Sequence, residues 1–372
     1  MLSTPAESDA LHERSLAFVR AFEEGRAMPE PFDALAADLA RFQAAHVAGY
    51  GRLCRARGTD PARIRGAREA PAVPTEAFKV SRVATFPESL TEVTFRTSGT
   101  SVGARGSHPM RRVATYDTAA LAFGRWALTR GEPPLPGAVP VLLLAPSPAE
   151  LPDSSLTHML DRFGGAFGPR PTEPTDYYVR DGVLELAALD ARVSQALVAR
   201  EPVLLMGTSF AFVHLLEALG EVSFRLPSGS RVMQTGGFKG RSREVDAGDL
   251  RRSLATTFGL SERSIVSEYG MTELSSQFYE GTLADAKATP GVYVEPPWAR
   301  VIPVDPESLE PVKDGDEGVA RIEDLINVDS AFAVLAADRV RRVSGGFELL
   351  GRWPGSVPRG CSIAVDEILG PS

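Results

Sequence analysis

The sequence predicts a layered α/β fold that ends in a β-rich portion. Between residues 139 and 268, short apolar runs alternate with stretches of helical period, the pattern of strands joined by helices in a largely parallel sheet. The first sixty residues show helical spacing only, and after residue 290 helical stretches thin out in favour of short strand-like runs.

Each element follows from local pattern. Leu11, Leu16, Phe18, Val19 and Phe22 recur at helical spacing, and Phe32, Leu35, Leu39 and Phe42 repeat it. Residues 8–57 are therefore expected to be helical, divided at Pro29 and Pro31. Pro61, Pro71, Pro74 and Pro87 punctuate a looser stretch over 58–95. Val93–Arg96 reads as a strand feeding the small-residue loop Thr97-Ser98-Gly99-Thr100-Ser101-Val102-Gly103. A helix is expected over 115–130, capped by Thr115 or Asp117. Strands at 139–144, 203–206, 230–234 and 264–268 then alternate with helices at 154–164, 188–200, 209–220 and 244–259. Late strands are expected at Val292–Val294, 301–304, 318–322 and 347–350.

Composition narrows the class. The chain is 43% hydrophobic and 24% charged, values that exclude wholesale disorder. Its net charge of −8 gives no support to a nucleic-acid partner. The short basic run Arg339, Arg341 and Arg342 reads as a solvated face. The longest apolar run, 139–145, is broken by Pro140 and falls far short of the ~20 residues of a membrane span. Cys54 and Cys361 are the two cysteines, too few for a disulfide framework or a four-thiolate zinc site. No His/Cys cluster has zinc-ligand spacing, and a cytoplasmic protein is expected. Cys54 reads as packing, His12 as solvated and His158 as a helix-surface residue.

Three loops can carry chemistry. Thr97–Gly103 holds four hydroxyl residues and two glycines; such a loop can turn N–H groups and hydroxyls toward one anion, or be an ordinary surface turn. It is not a Walker A loop, because no Gly-Lys-Ser/Thr follows. Tyr269-Gly270-Met271-Thr272-Glu273 follows a predicted strand, at the edge where open α/β sheets gather ligands. Its carboxylate suits a hard cation beside phosphate oxygens; the plain alternative is a helix cap at Thr272. Gln234-Thr235-Gly236-Gly237-Phe238 again follows a strand, where Gly-Gly lets a flat ring lie against backbone and Phe238 can stack on it; a tight turn is equally compatible.

Taken together and in this order, these loops resemble the adenylate-forming superfamily of acyl- and aryl-CoA ligases. Thr97–Gly103 is similar to its phosphate loop, and Tyr269–Glu273 to its Tyr-Gly-x-Thr-Glu motif. Ala336-Ala337-Asp338-Arg339-Val340 resembles the segment whose Asp holds the ribose, and Gly351-Arg352 the Gly-Arg that opens the hinge. Within the superfamily the chain most resembles the acyl-protein synthetase (LuxE) branch. The residues carrying this are Pro71–Lys79, Phe95–Thr100, Gly236-Gly237-Phe238-Lys239-Gly240 and Arg359-Gly360-Cys361-Ser362. Two departures stand out. Ala104-Arg105 replaces the Pro-Lys that usually follows the phosphate loop, so Arg105 is read as the positive charge there, although Arg and Lys are not geometrically equivalent. The sequence also stops shortly past the hinge, so the superfamily's C-terminal lid is expected to be absent or vestigial.

The resemblance implies ATP and Mg²⁺ as cofactors and a carboxylic, fatty, acid as substrate. It places Thr97, Ser98, Gly99, Thr100, Ser101, Gly103 and Arg105 around the β,γ-phosphates, with Thr272 on the α-phosphate and Glu273 on the metal. Asp338 and Arg352 fall at the ribose and hinge. Tyr269, Gly270, Gly236, Gly237 and Phe238 fall around the nucleotide or acyl group. Cys361 would take the acyl group as a thioester, with an acyl-CoA-reductase-like protein as partner. On this reading residues 1–350 are one acid-activating domain with a helical segment over 1–60, and 351–372 a hinge stub carrying Cys361. A free-standing ligase that passes the acyl group to CoA or a carrier protein, and a non-catalytic nucleotide- or acyl-binding subunit, remain as alternatives.

Overall fold

A computed structural model describes residues 4–98, 104–220, 222, 224–235, 246–353 and 359–369. The chain divides into two compact units. The first comprises Met1–Ala122, Met271–Ser276 and Glu295–Ser372; the second comprises Phe123–Gly270 and Gln277–Val294.

The first unit opens on helices α1 (Thr4–Glu23), α2 (Phe32–His46) and α3 (Ala48–Ala56). The break before α2 falls at the prolines, with Pro31 extended at φ −62°, ψ 137°. A second break falls at Val47 (φ −102°, ψ 100°), which apolar spacing does not reveal because Phe42, Val47 and Leu53 are all buried. Cys54 is fully buried, as packing requires. His12 corrects the expectation of a solvated side chain. It is 3% exposed, and its Nε2 lies 2.8 Å from Asp329 Oδ2. Ser8, His12 and Ser15 share one face of α1. Ser8 Oγ donates to Asp329 Oδ1 at 2.5 Å, and Ser15 Oγ donates to the Leu325 carbonyl at 2.7 Å. A polar stripe reads as a solvent face in sequence; here it meets a buried polar turn.

Next come β1 (Val73–Pro74), α4 (Ala77–Val80), β2 (Val93–Arg96), β3 (Ser107–Met110) and α5 (Val113–Leu128). β2 and β3 are antiparallel, pairing Arg96 with Ser107 and Phe95 with His108, so they form a hairpin around the small-residue loop. α5 starts ahead of Thr115 and Asp117, so the expected cap lies inside the helix; Glu92 Oε2 instead accepts from Val113 N at 3.1 Å.

The second unit contains β4 (Val141–Leu144), α6 (Ser155–Phe167), β5 (Val179–Arg180), β6 (Val183–Leu184), α7 (Leu186–Ala199), β7 (Leu204–Thr208) and α8 (Ser209–Leu219). It continues with β8 (Arg231–Thr235), α9 (Ala247–Phe258), β9 (Ile265–Tyr269), β10 (Phe278–Glu280) and β11 (Val292–Val294). β4, β7, β8 and β9 are parallel neighbours in that order. β10 and β11 extend the sheet antiparallel. Helix starts follow side-chain chemistry: Ser154, Thr208 and Asp246 each accept backbone N–H groups at the starts of α6, α8 and α9. Leu142, Leu205, Phe212, Val232, Phe258 and Ile265 form the core between these helices and strands.

Back in the first unit, β12 (Ala299–Val304), β13 (Glu317–Asp324), β14 (Ala333–Val343) and β15 (Gly346–Arg352) are antiparallel in that order, and β1 pairs parallel with β14. The eleven-residue β14 has no counterpart among the sequence expectations. Its second half carries Arg339, Arg341 and Arg342, which are paired with carboxylates: Arg339 and Arg341 each lie 2.7 Å from Glu317, and Arg342 lies 2.6 Å from Glu295. The chain continues into helix α10 (Arg359–Leu369). Its end docks on α3, where Arg52 Nε donates to the Ile368 carbonyl and Arg57 Nε to Glu367, both at 2.7 Å. Among the described residues no helix is long and apolar enough to cross a membrane.

Candidate active site

In the first unit, the hairpin closes the base of the small-residue loop. Thr97 N donates to the Gly106 carbonyl at 3.0 Å, and Gly106 N donates to Thr97 Oγ1 at 2.8 Å. The Thr97 hydroxyl thereby accepts one bond and keeps its own proton for another acceptor. Arg105 clasps the same base: its Nε donates to the Thr97 carbonyl at 2.6 Å and its Nη2 to the Arg96 carbonyl at 3.3 Å. Ser98 is exposed. Gly99, Thr100, Ser101 and Gly103 lie outside the described residues.

The Thr272-Glu273 turn reaches this base. A methyl group on Gly106 would stand 3.0 Å from Thr97 Cγ2 and 3.6 Å from Glu273 Oε1. Two sequence motifs some 170 residues apart thus converge on one buried glycine that neither motif includes. Glu273 is 6% exposed, and the turn's backbone is held from behind. The ring of His108 on β3 lies with Nδ1 2.6 Å from the Thr272 carbonyl. A carbonyl only accepts, so Nδ1 carries the proton. Burial pushes His108 down to about 4, despite its bonds to Thr272 and Asn327, so the ring is neutral at neutral pH. Asn327 Nδ2 donates to the Glu273 carbonyl at 2.9 Å and to the Ala331 carbonyl at 2.8 Å. Burial pushes Asp324 up to about 6, against hydrogen bonds from Ser276 and the backbone N–H of Ser275 and Ile326.

Asp338 and Arg352 are opposite one another on β14 and β15, with Arg352 Nε 3.5 Å from Asp338 Oδ1. The Arg352 side chain is mostly exposed, so the pair adds little stability.

In the second unit, Thr235 at the end of β8 pairs with Glu268 on the neighbouring parallel strand β9, and the Thr235 hydroxyl donates to Glu268 Oε2. A methyl on Gly270 would stand 2.5 Å from Glu268 Oε1, so the Glu268 carboxylate packs against this glycine. The Tyr269 ring is buried, with Phe278 and Tyr293 at centroid distances of 6.0 and 6.1 Å. A buried polar chain runs beneath, from Ser209 to Gln234 and on to Ser267, with Gln234 Nε2 2.7 Å from Ser267 Oγ. Gly236, Gly237 and Phe238 lie outside the described residues. Cys361 is the third residue of α10, and its side chain lies outside what is described.

Gly106, His108 and Asn327 do not belong to any motif legible in the sequence. For His108 and Asn327 the one local signal is a polar residue beside apolar ones, as in His108-Pro109-Met110 and Leu325-Ile326-Asn327-Val328; Gly106 carries none.

Comparison with known proteins defines the fold and the family. 2-Hydroxyisobutyryl-CoA ligase, solved in complex with 2-HIB-AMP and CoA, matches with a TM-score of 0.61 at 13% identity, over 86% of this chain and 69% of its own. ATP-bound MatB from Rhodopseudomonas palustris matches with a TM-score of 0.50 at 16% identity, over 70% of this chain and 48% of its own. The fold is that of the adenylate-forming ligases. The family model for acyl-protein synthetase, LuxE, matches residues 172–369, more than half of the chain, and the chain belongs to that family. The long-chain-fatty-acid–luciferin-component ligase of Aliivibrio fischeri is 26% identical over 151 residues, which are 39% of this chain and 38% of that protein. The chain therefore matches well under half the length of that relative and about half of MatB.

Proposed function

We propose that the chain activates a long-chain fatty acid with ATP and transfers the acyl group to Cys361 as a thioester. The approach of Glu273 to the closed base of the Thr97–Gly106 loop carries the reading, because it joins a phosphate-cradling loop to a buried carboxylate. The relative's name supports the fatty acid and a luciferin-component partner; that the partner is acyl-CoA-reductase-like and receives the acyl group is part of the proposal.

A carboxylate is a poor electrophile. Its oxygen attacks the α-phosphorus of ATP, the bond to pyrophosphate breaks, and the acyl-adenylate gains a good leaving group. Such a step needs positioning and charge neutralisation more than covalent help from the protein. In this proposal Thr97, Ser98, Gly99 and Thr100 hold the β,γ-phosphates, Thr272 the α-phosphate and Asp338 the ribose, while Gly236, Gly237 and Phe238 border the adenine or acyl group. Among the described residues no cluster of three or more His, Cys, Asp or Glu is placed to hold a metal. A single carboxylate plus substrate phosphates is nonetheless the usual way Mg²⁺ is bound. Glu273, with the Thr97 hydroxyl nearby, fits that donor set, and Mg²⁺ held there would neutralise phosphate charge. The Cys361 thiolate then attacks the acyl carbonyl and AMP leaves. Cys361 falls in the first turn of α10 with Arg359 two residues before it in the sequence, and helix N-termini and cations close to a thiol are the settings in which cysteines become nucleophilic.

The test is incubation with ATP, Mg²⁺ and a panel of labelled acids. A hydroxylamine-labile adduct mapping to the Cys361 peptide is expected, together with acid-dependent ATP–pyrophosphate exchange. Glu273→Gln should abolish exchange; Cys361→Ser should keep exchange and lose the adduct. Nucleotide binding without exchange for any acid would refute acid activation. Full thioester formation by Cys361→Ser on an added thiol would refute the acyl-carrier role.

A further inference from the structure

Two consecutive carbonyls of the Thr272-Glu273 turn are each held by a buried side chain from a different part of the first unit. His108 is 2% exposed and donates from Nδ1 to the Thr272 carbonyl at 2.6 Å. Asn327 is 1% exposed and donates from Nδ2 to the Glu273 carbonyl at 2.9 Å. Asn327 is itself fixed, because its Nδ2 also reaches the Ala331 carbonyl and its Oδ1 accepts from Ser275 Oγ at 3.2 Å. Immediately beyond, Asp324 accepts from Ser275 N and Ser276 Oγ at 2.8 and 2.7 Å. The peptide planes that direct the Thr272 and Glu273 side chains are therefore set by residues outside the motif.

His108 also couples the turn to the loop. It lies two residues beyond Gly106, on β3, which begins directly after the glycine that closes the loop base at Thr97. The chain thus runs from the loop base at Gly106 straight into the strand that carries the donor to the turn at His108.

We propose that His108 and Asn327 are positioning residues that set the Thr272 hydroxyl and the Glu273 carboxylate in register with the Thr97 hydroxyl at the Gly106-closed loop base, for a magnesium-bound nucleoside triphosphate. The inference rests on the proposed acid-activating reading for its ligand, but its structural content concerns the turn alone. Neither residue touches the reacting atoms. Each acts through the turn, so its loss should change kcat and metal dependence more than the affinity for nucleotide alone.

The test compares His108→Asn with His108→Gln in the full chain. The Asn amide falls close to where Nδ1 stands and the Gln amide close to Nε2, so both keep a polar side chain in the same buried place. Asn should retain ATP–pyrophosphate exchange within about threefold of the parent. Gln should lose about a hundredfold in kcat with little change in the KM for ATP, the scale of loss for a misplacement of about 1 Å. Binding of a non-hydrolysable ATP analogue, measured with and without Mg²⁺, provides a readout apart from turnover. The strengthening by Mg²⁺ should persist in Asn and fall by about tenfold in Gln, while metal-free binding is unchanged, as expected when one charge-assisted contact to the ion is misplaced. Asn327→Asp, which sets a carboxylate against the Glu273 carbonyl, should behave like Gln. Equal behaviour of Asn and Gln, or an Asn327→Asp protein with parental Mg²⁺ dependence, would overturn the inference. Absence of exchange in the parent, with the Mg²⁺ pattern intact, would instead count against acid activation and leave the positioning role standing.

Discussion

Asp329 offers the sharpest test of how the first unit is held together. Its carboxylate is 7% exposed and accepts from Ser8 Oγ at 2.5 Å, His12 Nε2 at 2.8 Å, Thr85 Oγ1 at 2.9 Å and Arg111 Nε at 3.1 Å. Burial alone would raise this carboxyl. The bonds from His12 and Ser8 and the charge of Arg111 outweigh burial and bring it down to about 2, from an ordinary 3.8. A depression of that size corresponds to about 2 kcal/mol of stability. Asp329→Asn preserves shape but removes the charge facing Arg111 and turns an amide donor toward groups that are themselves donors. A cost of about 2–4 kcal/mol at neutral pH is expected. The sign with pH follows from a depressed carboxyl. The contribution is complete above 3.8 and is lost as pH falls toward 2, so parent and variant should converge over that interval. Urea unfolding followed by circular dichroism at pH 7 and through the acid range measures both effects. A difference below about 0.5 kcal/mol at neutral pH, the scale of an ordinary surface change, would refute the reasoning, as would a difference that persists unchanged to pH 2.

Two further outcomes follow from packing. Burial pushes the Cys54 thiol up to about 11, so in a Cys361→Ser background a thiol reagent at neutral pH should find no reactive cysteine until urea is added; prompt labelling of the native protein would contradict this. Gly207 faces Leu144 on the neighbouring parallel strand, where a methyl would stand 2.6 Å from Leu144 Cβ and 2.9 Å from its carbonyl oxygen. Backbone cannot move aside cheaply, so Gly207→Ala should destabilise the second unit by about 1–3 kcal/mol, read as a lowered melting temperature, and an unchanged melting temperature would show that β4 and β7 can separate.

Elements defined by short-range pattern were legible. β8 and β9 each carry a short apolar pair, Val232-Met233 and Ile265-Val266, and their ends lie within one residue of the expected positions. The Thr97–Gly103 and Tyr269–Glu273 segments were recognisable because their hydroxyls, glycines and carboxylate depart from any helix or strand optimum. β14 was not legible. Its apolar half continues into Arg339, Arg341 and Arg342, which look like a solvated face until Glu317 on β13 and Glu295 supply their partners. His12 was misjudged for the same reason. A lone polar residue on a helix carries no local mark of whether water or a buried carboxylate will meet it, and Asp329 lies 317 residues away.

By itself, then, the sequence determined the alternation of strands and helices and marked out the hydroxyl-, glycine- and carboxylate-bearing segments, since both are written in periodicity and residue type over a few neighbouring positions. Only the tertiary structure decided that Glu273 approaches the base of the Thr97–Gly106 loop, and that the turn bearing it is fixed by His108 and Asn327. Those contacts span 164 residues from His108 to Thr272 and 54 from Glu273 to Asn327. The physical reason is that a buried carbonyl must be paired wherever the fold leaves it, and no local pattern states which distant side chain will arrive to do so.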